Sequence, residues 1–214
     1  MASNILKPYP FYSRNAVIER KPRRLYGYTE PIIPMLKGET ILDAGAGNGI
    51  FIPCMLEKGM KVTAIDYSKP SIKYIKNKYP EVKAYVHNIK RPIPEKSFDQ
   101  ILCHLVLHYL EDWIPTLKEF VRLSRSIILC ISHPFYTGKY IDNDYRDSQV
   151  AVIPFGGDDY MPIFHKSLET IQSIFKEVGL TIVDVREPSK PFLIYELRRI
   201  WNGKINRKGF NKIF

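Results

Sequence analysis

Short apolar runs alternate with amphipathic stretches along most of this chain. Glu39 to Asp43 (ETILD) is apolar and ends at a glycine cluster, which predicts a buried strand. Ile50 to Lys58 predicts a helix closed by Gly59. Lys61 to Ile65 (KVTAI) predicts the second strand. Ser68 to Lys78, with Ile72 and Ile75 inside it, predicts a helix capped by the serine. Val82 to Val86 and Phe98 to Cys103 predict two more strands, Trp113 to Leu123 a helix, and Ser126 to Ser132 (SIILCIS) a fifth strand. Leu168, Ile171, Ile174, Phe175 and Val178 fall at helical spacing, and Gly179 follows them. Leu180 to Arg186 and Phe192 to Ile200 predict two closing strands.

Strand and helix alternate through the first five strands, which implies parallel pairing with right-handed crossovers. The last two strands are separated only by the few residues around Pro188-Ser189-Lys190-Pro191, so they form an antiparallel hairpin. The expected fold is a doubly wound α/β architecture: a mostly parallel, seven-stranded sheet with one antiparallel strand near its edge. Residues 1–38 read as an irregular cap with helical pieces at 14–20 and from Tyr26 to Leu36, the latter interrupted by Pro31 and Pro34. Residues 39–214 read as the main domain. Within it, 133–166 has poor periodicity and is too long for an ordinary connection, which marks it as a lid or binding segment.

Length and composition are those of a globular chain with one sizeable core: 214 residues, 45% hydrophobic and 25% charged. No apolar run reaches the roughly 20 residues of a membrane span. Met1 to Pro10 lacks the apolar core of a signal peptide. Cys54, Cys103 and Cys130 show no pairing pattern and read as reduced thiols. These features lead to the expectation of a cytoplasmic protein. The net charge of +10 belongs to the ends: residues 1–30 carry +4 and 198–214 carry +6, so the middle is neutral. That suits either a solubilising edge and tail or a surface for an anionic partner such as nucleic acid. No nucleic-acid motif accompanies it, so a nucleic-acid partner is the less favoured reading.

The chemistry centres on Asp43-Ala44-Gly45-Ala46-Gly47-Asn48-Gly49. Alternate glycines let the backbone turn tightly and approach a ligand. A dinucleotide fingerprint would place its third glycine at the position of Ile50, one residue after Gly49. The acid Asp43 suits a ligand carrying an ammonium group rather than a diphosphate. Asp66 ends the second strand, where a carboxylate accepts from a ribose diol. Asn88, in His87-Asn88-Ile89, follows the third strand and has an amide able to read an adenine edge.

Together these residues resemble class I S-adenosylmethionine-dependent methyltransferases over roughly residues 40–185. ILDAGAGNGIF resembles the family's glycine motif, VTAIDYS its acidic second-strand motif, and HNIKRPIPEKSFDQILCHLVLHYLED the motifs that follow. The resemblance implies S-adenosylmethionine as the cofactor. Asp43, Gly45, Ala46, Gly47, Asn48 and Gly49 would surround its methionine end. Asp66, with Tyr67 or Ser68, would hold the ribose, and Asn88 and Ile89 would flank the adenine. His104 and Leu105 would border the sulfonium. The family usually has aspartate where this chain has Asn88. The lid segment more loosely resembles that of small-molecule members similar to ubiquinone and menaquinone methyltransferases.

A sulfonium is a strong leaving group, so no metal is expected, and catalysis should come from alignment. A base is needed only for an acceptor that must lose a proton. His133 is a candidate base or substrate contact, with a structural role beside Pro134 as the alternative; His104 is the second candidate and reads better as a wall. His108 reads as packing. Tyr136, Tyr140 and His165 are candidate substrate contacts in a lid that also holds Tyr145, Phe155, Tyr160 and Phe164. Asp142, Asp144, Asp147, Asp158 and Asp159 make that segment acidic, either as a solvated loop or as a match to a basic substrate. Asp142-Asn143-Asp144 is rejected as a calcium loop because Arg146 stands where a ligand belongs. Cys54 is core packing, and Cys103-His104-Leu105 lacks the Asn/Asp-Pro-Pro-aromatic sequence of adenine methylation in nucleic acid. A small-molecule methyltransferase is therefore the leading expectation. An RNA or protein methyltransferase and a non-catalytic cofactor-binding protein are the alternatives, and the acceptor and oligomeric state stay open.

Overall fold

The computed structural model describes residues 30–141, 150–156, 159–189 and 191–200. In chain order the strands are β1 (Thr40–Ala44), β2 (Lys61–Asp66), β3 (Lys83–Val86), β4 (Gln100–His104), β5 (Ser126–Ser132), β6 (Val150–Gly156), β7 (Asp159–Phe164), β8 (Leu180–Ser189) and β9 (Phe192–Arg199). The helices are α1 (Ile52–Glu57), α2 (Lys69–Lys78), α3 (Ile114–Leu123), α4 (Pro134–Thr137) and α5 (Leu168–Glu177).

Seven strands form one sheet in the order β3-β2-β1-β4-β5-β9-β8. The first five pair in parallel, and β9 is antiparallel to both β5 and β8. The order reverses between β1 and β4, so the carboxyl ends of those strands flank a crevice in which such sheets bind ligands. β1, β4 and β5 are buried almost throughout, because helices cover both faces. One core lies on the side of Trp113, Leu117, Phe120, Ile171 and Phe175, the other on the side of Phe51, Ile52, Met55, Ile72 and Ile75. Ser68 caps α2, its hydroxyl accepting from Ser71 N at 3.3 Å.

Two segments differ from the sequence expectation. The region predicted as a helix from Tyr26 forms a 3-10 turn, Glu30–Met35, in which Pro34 removes a backbone donor. Its Ile32 and Met35 join the second core, and Arg186 donates to Pro31 O at 3.0 Å. Residues 1–29, including the piece at 14–20, lie outside the described residues. Between β5 and α5, where the periodicity is poor, β6 and β7 pair as a separate antiparallel hairpin, Val150 opposite Phe164 and Val152 opposite Pro162. Pro154 and Pro162 obscure the strand pattern, yet a two-stranded sheet has only edges, where a missing amide is tolerated. Ala151 and Ile163 bury against Tyr109 and Ile141. Cys54, Cys103 and Cys130 are free thiols. Among the described residues, no helix is long and apolar enough to cross a membrane.

Candidate functional site

The glycine cluster stands at the carboxyl end of β1, in the crevice. Gly45 N and Ala46 N both donate to Ile65 O, at 2.8 and 3.0 Å, which fastens the turn to the end of β2. Gly45 has φ +79° and Gly47 φ +53°, conformations that disfavour a side chain. The two glycines differ in surroundings. A Cβ on Gly45 would lie 2.3 Å from a methyl of Val106, whereas one on Gly47 would meet nothing within 4 Å. Gly45 is needed for packing, and Gly47 leaves its backbone open to an approaching ligand. α1 begins only at Ile52, two residues later than predicted, with Pro53 in its first turn.

Two acids meet at this turn. Asp66 Oδ2 accepts from Gly47 N at 2.8 Å and Oδ1 from Ser68 N at 2.7 Å. Each oxygen keeps a further lone pair, so the carboxylate organises the turn and still presents acceptors. Burial pushes its pKa up, and the two amide bonds oppose that rise. Asp43 is 2% exposed, and its Oδ2 has no hydrogen-bond partner among the described residues. Burial, and secondarily the Asp66 charge, raise its pKa to about 7. A buried carboxyl oxygen without a partner, beside an open glycine turn, fits the ammonium group of a ligand.

The Asp43 shift predicts a pH dependence. Folded, the group holds its proton up to about pH 7, against an ordinary pKa of 3.8. The native state thus binds more protons within that window, so this group's contribution is present below its unfolded pKa and is lost as pH rises towards 7. Thermal unfolding of the ligand-free chain should show melting temperature falling over that window, and Asp43→Asn should flatten the slope. An unaltered slope in the variant contradicts the assignment.

Beyond β2 and β3 the edge is apolar and open: Ile50, Tyr67 and Val86 are 39%, 59% and 43% exposed. Asn88 Oδ1 accepts from Lys90 N at 3.0 Å, which turns the amide towards its own loop and leaves its NH2 as a donor. Ile89 differs from the expected flanking role. Its side chain is 7% exposed and packs within the first core, and its carbonyl accepts from Thr116 Oγ1 at 3.3 Å. Asn48 is exposed, and Ala46 and Gly49 are buried.

At the end of β4, His104 stacks edge-on to Phe51 with ring centres 5.0 Å apart, and burial lowers its pKa to about 4, which keeps it neutral near pH 7. Leu105 has φ +55°, the one positive value among described residues other than glycine. Its amide donates to Cys130 O at 2.8 Å, which holds the strained residue in place. His133 is 7% exposed and forms the amino cap of α4, its Nδ1 accepting from Phe135 N at 3.2 Å. Its Nε2 faces Glu187 at 3.6 Å. With Nδ1 used as an acceptor, the neutral ring carries its proton on Nε2 and has no nitrogen left to serve as a base. His165 is 1% exposed, with Nδ1 2.6 Å from Thr137 Oγ1. Tyr136 is half-buried, with Lys139 Nζ 5.8 Å from its ring centre. Tyr140 ends the 3-10 turn Gly138–Tyr140. Asp142, Asp144, Tyr145, Asp147 and Asp158 lie outside the described residues, as do the side chains of Tyr140, Phe155, Asp159 and Tyr160. Among described residues, no cluster of three His, Cys, Asp or Glu side chains is arranged for a metal.

Three site features escaped the sequence: Val106 behind Gly45, the bond from Gly47 N to Asp66, and Phe51 against His104. None of them leaves a local signal along the chain, because each joins residues on different elements.

Residues 42–127 match the family model described as a methyltransferase domain. The chain is 27% identical over 105 residues to a Mycobacterium tuberculosis (strain CDC 1551 / Oshkosh) protein assigned to the S-adenosylmethionine-dependent methyltransferases, a match covering 48% of this chain and 38% of that one. It is 30% identical over 115 residues to the ubiquinone biosynthesis O-methyltransferase of Nitrosomonas europaea, covering 50% of this chain and 48% of that one. The chain thus spans less than half the length of these curated relatives. A Listeria monocytogenes structure assigned to the S-adenosylmethionine-dependent methyltransferases superposes with a TM-score of 0.71 at 21% identity, covering 82% of this chain and 97% of that one, which shows a shared fold. Residues 42–127 are thus similar to a methyltransferase domain, and the fold is one shared with structures assigned to the S-adenosylmethionine-dependent methyltransferases.

Proposed function

We propose that this protein transfers a methyl group from S-adenosylmethionine to a small-molecule acceptor. The observation that carries this reading is the pairing of an open glycine, Gly47, with two buried or partly buried acids, Asp43 and Asp66, at the switch point of the sheet. When bound, the sulfonium supplies an activated methyl group and a neutral leaving group. Gly45, Ala46 and Gly47 would line the amino-acid end, with Asp43 facing its ammonium. The free lone pairs of Asp66 would take the ribose hydroxyls. Tyr67, Ile50 and Val86 would cover the adenine face, and the NH2 of Asn88 would meet a ring nitrogen. His104, neutral and held by Phe51, would wall the sulfonium without contributing a charge that repels it.

The remaining contribution of the chain is alignment. The segment over 133–166 follows β5, directly beside the end of β4, and would act as the lid that orients the acceptor and excludes water.

The test is transfer of a tritiated methyl group from S-adenosylmethionine by the full chain into a cell extract. Label in the low-molecular-weight fraction is expected. Label confined to RNA or protein overturns the small-molecule assignment, and absence of label from every fraction overturns turnover itself.

A further inference from the structure

A second group of polar side chains lies beyond the carboxyl ends of β4 and β5. His108, in the 3-10 turn Leu107–Tyr109, is 4% exposed, and its Nδ1 has no hydrogen-bond partner among the described residues. Its ring borders a space of about 10 Å³, whose other walls include Trp113, Ser132, Thr137, His165 and Lys166. That volume corresponds to about one water-sized sphere. His165 is held by its 2.6 Å bond to Thr137 Oγ1. Lys166, 8% exposed, donates from Nζ to Glu111 O at 2.7 Å and lies 5.6 Å from the Trp113 ring centre. These bonds fix the walls, so the space is built into the fold.

The chemistry of the occupant follows from its neighbours. Burial holds His108 neutral, with a pKa lowered to about 3. A neutral imidazole Nδ1 is a donor in one tautomer and an acceptor in the other, and a hydroxyl satisfies either. A carbonyl or an ammonium satisfies only one. The buried Lys166 cation in the same wall favours oxygen over a second cation.

We propose that this space is a binding site for a single hydroxyl oxygen, that of a water molecule or of the methyl acceptor, positioned by His108 Nδ1. The acceptor as a source rests on the methyl-transfer reading above; the oxygen site itself does not.

The test is a crystal structure of the full chain with S-adenosylhomocysteine, at a resolution that shows waters, before and after soaking with phenol as a hydroxyl probe. An ordered oxygen within about 3.2 Å of His108 Nδ1 is expected. Replacement of that oxygen by the phenol hydroxyl identifies the acceptor end, and its persistence identifies an internal water; either result supports the site. No ordered oxygen beside His108 in either crystal overturns it. His108→Phe should lose the oxygen while changing S-adenosylhomocysteine affinity by less than about twofold in calorimetry. An oxygen retained at the same place in that variant overturns the role of His108. If the wild-type chain takes up no S-adenosylhomocysteine, the methyl-transfer reading fails, and the oxygen site is still read from ligand-free crystals.

Discussion

Asp66→Ala is expected to weaken S-adenosylhomocysteine binding by about 100-fold in calorimetry, equivalent to about 3 kcal/mol. Two charge-assisted bonds to a ribose diol are worth roughly 1.5–3 kcal/mol each before the cost of ordering, so their joint loss reaches that size. The substitution also removes the acceptor for Gly47 N and Ser68 N, which loosens the turn that the amino-acid end of the ligand would meet. Asp66→Asn keeps one acceptor oxygen and should fall in between, at about tenfold. Folding should survive both changes, since neither creates a cavity in the core. An alanine variant that binds within about threefold of the wild type would remove the ribose role from Asp66.

The second large effect concerns two glycines two residues apart. Gly45→Ala should lower the melting temperature by about 5–15 °C, because a left-handed backbone and an overpacked neighbour add about 2–5 kcal/mol together. The overpacking is specific, since the new methyl would lie 2.3 Å from Val106 Cγ2. Gly45→Ala combined with Val106→Ala should regain the packing part of that loss. Gly47→Ala should cost only the backbone strain, about 1–2 kcal/mol, because nothing stands within 4 Å. Its methyl would instead fill the space in front of the turn and abolish S-adenosylhomocysteine binding. The measurements are thermal unfolding and calorimetry on the same three variants. Equal stability losses at Gly45 and Gly47 would refute the distinction.

The strain at Leu105 belongs to the same region. A leucine at φ +55° costs about 1 kcal/mol or more, and such residues persist only where their surroundings over-determine them. Here the amide bond to Cys130 O and the neighbouring Val106, packed against Gly45, supply that constraint. The turn after β4 and the glycine turn after β1 therefore support one another, and the cofactor crevice lies between them.

Much of this arrangement is local and was readable without coordinates. Runs such as ETILD, KVTAI and SIILCIS are apolar on both faces because helices cover both sides of the sheet, and that pattern is set by the residues themselves. Ser68 is a cap because its side chain needs only Ser71, three residues on. The hairpin β8–β9 follows from the shortness of its connection, which admits no crossover. The glycine spacing and the acids at strand ends likewise sit where strand ends are predicted.

What the chain left undecided is non-local. Whether Gly45 or Gly47 faces the ligand depends on Val106, some 60 residues away, and no spacing announces that contact. The pKa of Asp43 rises because the fold buries it near Asp66, on the neighbouring strand. His133, which the chain leaves open between a base and a structural residue, is bent by the backbone after β5 into a cap for α4. Pro154 and Pro162 hid a hairpin that forms because each strand offers the other its one pairing edge. Sequence periodicity reports how each segment divides its own surface between core and water. Which segment lies opposite, and so which nitrogen is spent and which carboxyl is stripped of water, is settled only when the segments pack.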